Sequence, residues 1–101
     1  MKQYAYLVRP AFDEAFMAAA GEREGAVVDA HWEFLLDLHR RGRLVFAGRC
    51  FDGPFGIIVF EAGDDEEAAA VTRSDPSVVA GVQRAELHPF KVGLLRGEAP
   101  A

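Results

Sequence analysis

The 101-residue chain has a formal net charge of −5, and half of its residues are hydrophobic while 27% are charged, which is typical of one folded domain. Its eleven Lys and Arg residues are scattered, whereas nucleic-acid and anionic-membrane surfaces require clustered positive charge, so neither partner is expected. No apolar run approaches the ~20 residues of a membrane span, and the N-terminus lacks a signal-peptide pattern, so we expect a cytoplasmic protein. A single cysteine, Cys50, excludes an intrachain disulfide and a cysteine-rich metal site.

The first half of the chain predicts a strand and a long helix. Side chains alternate over Gln3–Arg9, which predicts a strand that ends at Pro10. Residues 11–21 predict a short helix with a glycine at its end. The main helix is predicted from about Glu24 to Arg41, with Gly42 at the position that glycine favours just after a helix.

The middle of the chain predicts a β-hairpin. Arg43–Phe51 and Phe55–Ala62 are two apolar segments, and the sequence Asp52-Gly53-Pro54 between them is typical of a tight turn. Both faces of these strands are apolar. Strict alternation predicts Leu44 and Phe46 on one face of the sheet.

The last third predicts a helix, a further helical turn and a final strand. Acidic residues at 64–67 favour a helix start, and the helix is expected to stop near Ser74. Pro76–Ala80 adds one turn. Gln83–Leu95 predicts the last strand, in which Pro89 implies an edge position or a bulge.

The order of these elements is β-α-β-β-α-β, which predicts an α+β ferredoxin-like domain with an antiparallel sheet. We expect one domain over residues 1–97 and a C-terminal tail at 98–101. Helices cover one face of such a sheet, and the other face here is too apolar to meet water. We therefore expect a homodimer through that sheet face, with a barrel-like core between two chains.

One titratable residue interrupts the buried side of the main helix. At ~100° per residue, one narrow stripe contains Val27, His31, Phe34, Leu35 and Leu38. An imidazole thus stands where an aliphatic side chain is expected. His31 is then either a proton-transfer residue or a core histidine bonded to the backbone.

In this order and spacing, the motifs of the chain resemble the YCII-related family of small dimeric α+β proteins. The motifs are His31, Gly42, Ala47-Gly48, Ile58–Ala62 followed by Glu66-Glu67-Ala68, Ser74-Asp75-Pro76 and Pro89–Val92. The resemblance implies a ferredoxin-like protomer, a face-to-face dimer and an active site built on a His–Asp pair, which maps onto His31 and Asp75. One branch of the family eliminates HCl from a chlorinated hydroxyhydroquinone. Arg49 departs from the family pattern, in which a proline usually follows Ala47-Gly48.

The remaining candidate site residues are two arginines, two tyrosines and the capping role of Asp75. Arg49, after Gly48, could bind a substrate carboxylate or phenolate, or it could point to solvent, and Arg9 has the same two readings. Tyr4 and Tyr6 could line a pocket for an aromatic ligand or pack in the sheet core or dimer interface. Asp75 could equally cap the turn that Pro76 begins.

No metal or cofactor is expected, because neither His39 nor His88 has neighbours spaced like metal ligands and no glycine-rich phosphate loop is present. Cys50 is expected to be a small buried strand residue.

Two functions follow as hypotheses. The first is a cofactor-independent lyase or isomerase for a small cyclic or aromatic anionic metabolite, with His31 as general base or acid, Asp75 orienting it and Arg49 contacting the anion. The alternative is a non-catalytic dimeric module that binds a small molecule or another protein. In a third reading His31 and Asp75 are purely structural.

Overall fold

The computed structural model of the protein describes residues 1–11, 22–52 and 55–100. In chain order the elements are β1 (Lys2–Pro10), α1 (Glu22–Arg40), β2 (Leu44–Arg49), β3 (Gly56–Ala62), α2 (Asp65–Ser74), α3 (Pro76–Val79) and β4 (Gln83–Pro89). The predicted α+β class is confirmed. Residues 12–21, over which most of the short helix was predicted, and the turn residues 53–54 lie outside the described residues.

The four strands form one antiparallel sheet with the order β2-β3-β1-β4. This is the strand order that the split pattern of a β-α-β-β-α-β chain gives. β4 is an edge strand, which confirms the edge position inferred from Pro89. The strand was predicted to reach Leu95, and this is wrong: it ends at Pro89, which pairs with Tyr4, because β1 begins at Lys2 and leaves little strand for later residues to pair with. Beyond it, the Phe90 N–H still donates to the Gln3 carbonyl at 3.1 Å.

Strand β2 contains a bulge that changes which side chains share a face. Leu44 pairs with Phe60, whereas Phe46 pairs with Val59, so Val45 is an extra residue in the strand. The prediction that Leu44 and Phe46 lie on the same face is therefore wrong, since directly opposed residues share a face. Leu44 packs toward the helices, and Phe46 lies on the opposite face of the sheet.

Two helices end in the same hydrogen-bonded motif. After α1, the N–H of Arg43 donates to the Leu38 carbonyl and Gly42 donates to His39, a Schellman motif in which Gly42 has a φ of 71°. The same motif ends α3, where Gly81 has a φ of 73°. Both glycines occupy the left-handed region that other residues rarely adopt. The predicted end of the main helix near Gly42 is confirmed.

The hydrophobic core lies between the helices and one face of the sheet. It consists of Tyr4, Tyr6, Val8, Leu35, Leu38, Ile58, Phe60, Ala62 and Ala68. Both tyrosines are almost fully buried, and both contact the Phe60 ring, at centroid distances of 6.0 Å for Tyr4 and 5.8 Å for Tyr6. Leu35 and Leu38 of the predicted helical stripe belong to this core, so the buried side of α1 was predicted correctly.

Candidate functional site

A cavity of about 820 Å³ lies between α1, the paired ends of β2 and β3, and the start of β4. Its apolar lining includes Val8, Leu35, Ile58 and Val82. Its polar lining includes His31, Ser77, Gln83 and Arg49. A few polar groups on a mostly apolar wall are typical of small-molecule sites.

His31 and Asp75 meet at the wall of this cavity, although 44 positions separate them in the chain. His31 Nδ1 lies 2.7 Å from Asp75 Oδ2 and 2.9 Å from Asp75 Oδ1. The Asp75 side chain is fully buried, and the His31 side chain is 17% exposed. The pairing arises because His31 is on the core side of α1, while Asp75 is the N-cap of α3.

Every described hydrogen-bond partner of the Asp75 carboxylate is a donor. The Tyr6 hydroxyl donates to Oδ2 at 2.7 Å, and both the backbone N–H and the hydroxyl of Ser77 donate to Oδ1, at 2.9 and 2.8 Å. Burial acts to raise the pKa of Asp75, but the hydrogen bonds from His31, Tyr6 and Ser77 outweigh it and lower the pKa below its usual value. Asp75 is therefore a carboxylate at neutral pH.

Ser77 connects this carboxylate to the cavity. Its hydroxyl oxygen lies 2.8 Å from Asp75 Oδ1 and 2.7 Å from Gln83 Oε1, and 3.4 Å from His31 Nδ1. Because a hydroxyl has one proton, it donates to one acceptor at a time. Ser77 and Gln83 both line the cavity, so this hydrogen-bonded group continues from the buried Asp75 to the site where a ligand would lie.

Tyr6 supports Asp75 from the sheet. Burial, together with the negative charge of Asp75 and the hydrogen bond to it, raises the pKa of the Tyr6 hydroxyl far above its usual value. Tyr6 is therefore a permanent donor to the carboxylate. Neither tyrosine is among the residues that line the cavity, so the packing alternative proposed from the sequence describes both of them.

The predicted anion-binding residues lie in two places. Gly48 and Arg49 line the cavity, and the Arg49 guanidinium carbon lies 5.7 Å from the centre of the Phe51 ring. Arg9 is not among the cavity-lining residues, and its guanidinium carbon lies 4.8 Å from the centre of the Phe55 ring. The prediction that Cys50 is buried is wrong: β2 ends at Arg49, and Cys50 is exposed at the cavity.

Sequence reasoning missed several residues of the cavity, among them two polar and two aromatic ones. Ser77 and Gln83 carry no motif of their own, although Ser77 follows the Asp-Pro step that begins α3. Trp32 and Phe51 are large apolar residues with exposed fractions of 58% and 94%, and both line the cavity. Trp32 directly follows His31, which places it beside the buried stripe of α1, and this spacing was the one available signal.

Within residues 1–11, 22–52 and 55–100, no group of three or more His, Cys, Asp or Glu side chains is arranged to hold a metal ion. Among the described helices, none has the length and apolar character needed to cross a membrane. The cytoplasmic location stays a prediction.

Comparison with known proteins gives structural neighbours and a family. One neighbour is the 5-chloro-2-hydroxyhydroquinone dehydrochlorinase TftG of Burkholderia phenoliruptrix AC1100, solved in complex with 2,5-dihydroxybenzoquinone. The likeness covers 88% of this chain and 95% of that one, with a TM-score of 0.60 and 16% sequence identity, so it establishes a shared fold. No curated protein sequence matches the chain. The model of the YCII-related domain matches residues 3–91, and the chain belongs to that family.

Proposed function

We propose that the protein is a cofactor-independent lyase or isomerase that acts on a small cyclic or aromatic anionic metabolite, with His31 as its general base or acid. The observation that carries the proposal is the 2.7 Å contact between His31 Nδ1 and the buried Asp75 carboxylate, on the wall of a cavity of about 820 Å³. A carboxylate on one ring nitrogen orients the imidazole and leaves the other nitrogen free to exchange a proton.

The hydrogen bonds around Asp75 support one direction of proton transfer. With Nδ1–H donating to Asp75, His31 Nε2 is the acceptor for a substrate proton. Asp75 does not take that proton onward, because its pKa is lowered and both of its oxygens already accept hydrogen bonds from Tyr6 and Ser77. The negative charge instead stabilises the imidazolium that forms. In an isomerisation His31 returns the proton to another substrate atom. In an elimination the electron pair of the broken bond to hydrogen forms the new double bond, the leaving group departs with its own bonding pair, and His31 afterwards gives the proton to water.

The remaining cavity wall suits a planar anionic ring. Aliphatic side chains line the interior, and the exposed rings of Trp32 and Phe51 lie at the cavity, where either could stack on a ligand. Arg49 provides a guanidinium that can pair with a carboxylate or phenolate. The neighbour TftG acts on a chlorinated hydroxyhydroquinone and was solved with a dihydroxybenzoquinone. That chemistry supports quinol-type compounds as the first candidates.

The test is turnover of a panel of hydroxylated and chlorinated quinols, enol lactones and other cyclic acids. His31→Ala and Asp75→Asn should each lower kcat by about two to four orders of magnitude, the usual contribution of a positioned base. His39→Ala is the matched control, because His39 is exposed in the last turn of α1 and does not line the cavity. Turnover that survives His31→Ala would overturn the proposal.

The alternative is a module that binds the ligand without converting it. It is favoured by the position of Asp75, whose hydrogen bonds join α1, β1 and α3 and would hold these elements together whatever the cavity does. A compound that stabilises the wild-type protein against heat, gives no product and loses its effect in Arg49→Ala would support this alternative against the enzyme.

We further propose that residues 1–97 act as one domain and that two copies pair through the sheet face opposite the helices. On that face Phe46 is 37% exposed and Leu7 and Ile57 are half-buried, while Arg84, Glu86 and His88 lie on the exposed side of β4. An apolar centre with charged residues at one side is typical of protein interfaces.

The pairing is tested by light scattering coupled to size exclusion. The wild type should have the mass of a dimer, and Phe46→Asp and Ile57→Asp should have the mass of a monomer. Val79→Asp places the same charge on an exposed apolar residue of α3 and should leave the dimer intact. A monomeric wild type would overturn this part of the proposal.

A further inference from the structure

We propose that Tyr6 and Ser77 are positioning residues of the site, which hold the Asp75 carboxylate against His31 Nδ1 and so determine which ring nitrogen carries the proton. This inference rests on the proposed function, because it concerns the same His–Asp pair. It adds two residues that act through the Asp75 carboxylate, and it predicts a property of His31 that can be measured without a substrate.

The argument begins with the acceptor capacity of Asp75. An ionised carboxylate offers about four lone-pair positions. Four donors lie within hydrogen-bond distance of them: His31 Nδ1, the Tyr6 hydroxyl, the backbone N–H of Ser77, and the Ser77 hydroxyl, which Asp75 shares with Gln83 Oε1. A carboxylate with this arrangement around it cannot rotate without breaking several short hydrogen bonds. The carboxylate is therefore held in one orientation, in which both of its oxygens lie within 2.9 Å of His31 Nδ1.

The hydrogen bond from Tyr6 opposes the transfer of a proton to Asp75 Oδ2. The Tyr6 hydroxyl donates to the same oxygen that lies nearest to His31 Nδ1. Because this phenol is buried and keeps its proton, it competes with any transfer of a proton from the ring to Oδ2. The carboxylate stays the acceptor, and Nδ1 stays the donor. Nε2 is then left without a proton, as a general base requires.

Ser77 acts on the other oxygen through two separate groups. Its backbone N–H donates to Oδ1 as part of the cap of α3, and its hydroxyl donates to the same oxygen. Ser77→Ala removes the hydroxyl alone and leaves the cap. A graded series is thus available, in which Asp75→Asn changes the carboxylate and Tyr6→Phe and Ser77→Ala each remove one donor from it.

The chain contains a matched control for Tyr6. Tyr4 lies two residues earlier on the same face of β1, is equally buried, contacts the same Phe60 ring and donates its hydroxyl to an aspartate at 2.7 Å. That aspartate is Asp65, which has no described contact with His31 or Asp75. Tyr4→Phe therefore reproduces the loss of a phenol from the core without touching the proposed site.

The experiment is long-range ¹⁵N–¹H correlation NMR of the protein labelled with ¹⁵N-histidine, at a fixed pH above the histidine titration range. Nitrogen shifts distinguish the Nδ1–H form of the neutral ring from the Nε2–H form. In the wild type we expect the Nδ1–H form of His31 to dominate. Tyr6→Phe should raise the ratio of Nε2–H to Nδ1–H about fivefold, the size of effect that loss of one hydrogen bond gives, and Ser77→Ala should shift it in the same direction. Tyr4→Phe should leave the ratio unchanged.

The outcomes separate this inference from the proposed function. If Asp75→Asn changes the ratio while both Tyr6→Phe and Ser77→Ala leave it unchanged, the pair stands and the positioning role is wrong. If even Asp75→Asn leaves the ratio unchanged, the pair itself fails, and both proposals fall. If Tyr6→Phe does not fold, Ser77→Ala decides, because it removes one hydroxyl and keeps the helix cap.

Discussion

Two tyrosine–aspartate pairs in this protein have the same geometry and different surroundings. Tyr4 donates to Asp65 at 2.7 Å, and Tyr6 donates to Asp75 at 2.7 Å. Both tyrosines lie on the core face of β1, two residues apart. Asp65 is exposed in the first turn of α2, whereas Asp75 is fully buried and also binds His31 and Ser77.

The difference shows what turns a packing contact into a candidate site. Water can replace the tyrosine hydroxyl as the hydrogen-bond donor to an exposed aspartate at little cost in free energy. A buried aspartate has no access to water, so the loss of any donor leaves the carboxylate without a hydrogen-bond partner. Among the described residues, the second pair is the one bonded to an imidazole, that of His31, which lines the cavity of about 820 Å³. Strand β1 thus contacts the start of α2 through Tyr4 and the candidate His31–Asp75 site through Tyr6.

The largest expected effect comes from removing the two aspartates in turn. Asp75→Ala leaves the Tyr6 hydroxyl, the Ser77 donors and His31 Nδ1 without their buried partner, and should lower the free energy of unfolding by roughly 3 to 5 kcal/mol. Asp65→Ala should have a much smaller effect, because water replaces the exposed carboxylate. Urea unfolding at neutral pH measures both, and equal losses would contradict the comparison.

The loss of stability at alkaline pH should also differ between the two tyrosine–aspartate pairs. Hydrogen bonding to Asp65 raises the pKa of Tyr4 to about 12, and burial raises that of Tyr6 further. A raised pKa stabilises the folded protein fully below the ordinary tyrosine value of 10.0, and this contribution is lost as the pH rises through the folded pKa. Tyr6→Phe should flatten the fall in stability above pH 10 more than Tyr4→Phe does. Urea midpoints across this pH range give the measurement, and the opposite ranking of the variants would contradict it.

The stability of the protein in acid tests the contribution of the Asp75 charge. Its lowered pKa means that the carboxylate stabilises the folded protein above the ordinary value of 3.8, and that this stabilisation is lost as the pH falls through the folded pKa. The stability difference between the wild type and Asp75→Asn should therefore be largest near neutral pH and shrink as the pH falls below about 4. A difference that stays constant with pH would show that the Asp75 charge does not contribute.

The smallest expected loss of stability comes from a helix cap outside the site, and it distinguishes the capping role of Asp75 from its contact with His31. Asp64 caps α2 by accepting from the Glu67 N–H at 2.8 Å, as Asp75 caps α3. Asp64→Ala should cost about 1 kcal/mol, as usual for a helix cap, and leave the His31 nitrogen shifts unchanged. A loss as large as that of Asp75→Ala would mean that capping alone explains Asp75.

Patterns in the sequence predicted the parts of this molecule that depend on local rules. The core side of α1, the glycine after it and the Asp-Pro start of α3 follow from side-chain spacing and backbone preferences, and all three were predicted. His31 was noticed because it breaks the apolar stripe. Its pairing with Asp75 was implied by the family resemblance.

The rest depends on long-range contacts that spacing does not encode. The hydroxyl of Tyr6 reaches Asp75 across 69 positions, and nothing local distinguishes it from Tyr4. The bulge at Val45 reverses the face of Phe46, because one extra residue in a strand shifts all later side chains by one step. The exposure of Trp32 and Phe51 follows from where α1 and the hairpin end meet, which is a property of the assembled fold.

The most direct test of the central claim is to add 2,5-dihydroxybenzoquinone, the ligand of the TftG structure, to the ¹⁵N-histidine-labelled protein and follow all three histidines. The account predicts that the Nε2 signal of His31 shifts with ligand concentration and saturates, while the ring signals of His39 and His88 stay in place. Equal shifts at all three histidines, or none at His31 with a ligand shown to bind, would contradict a site built on His31 and Asp75.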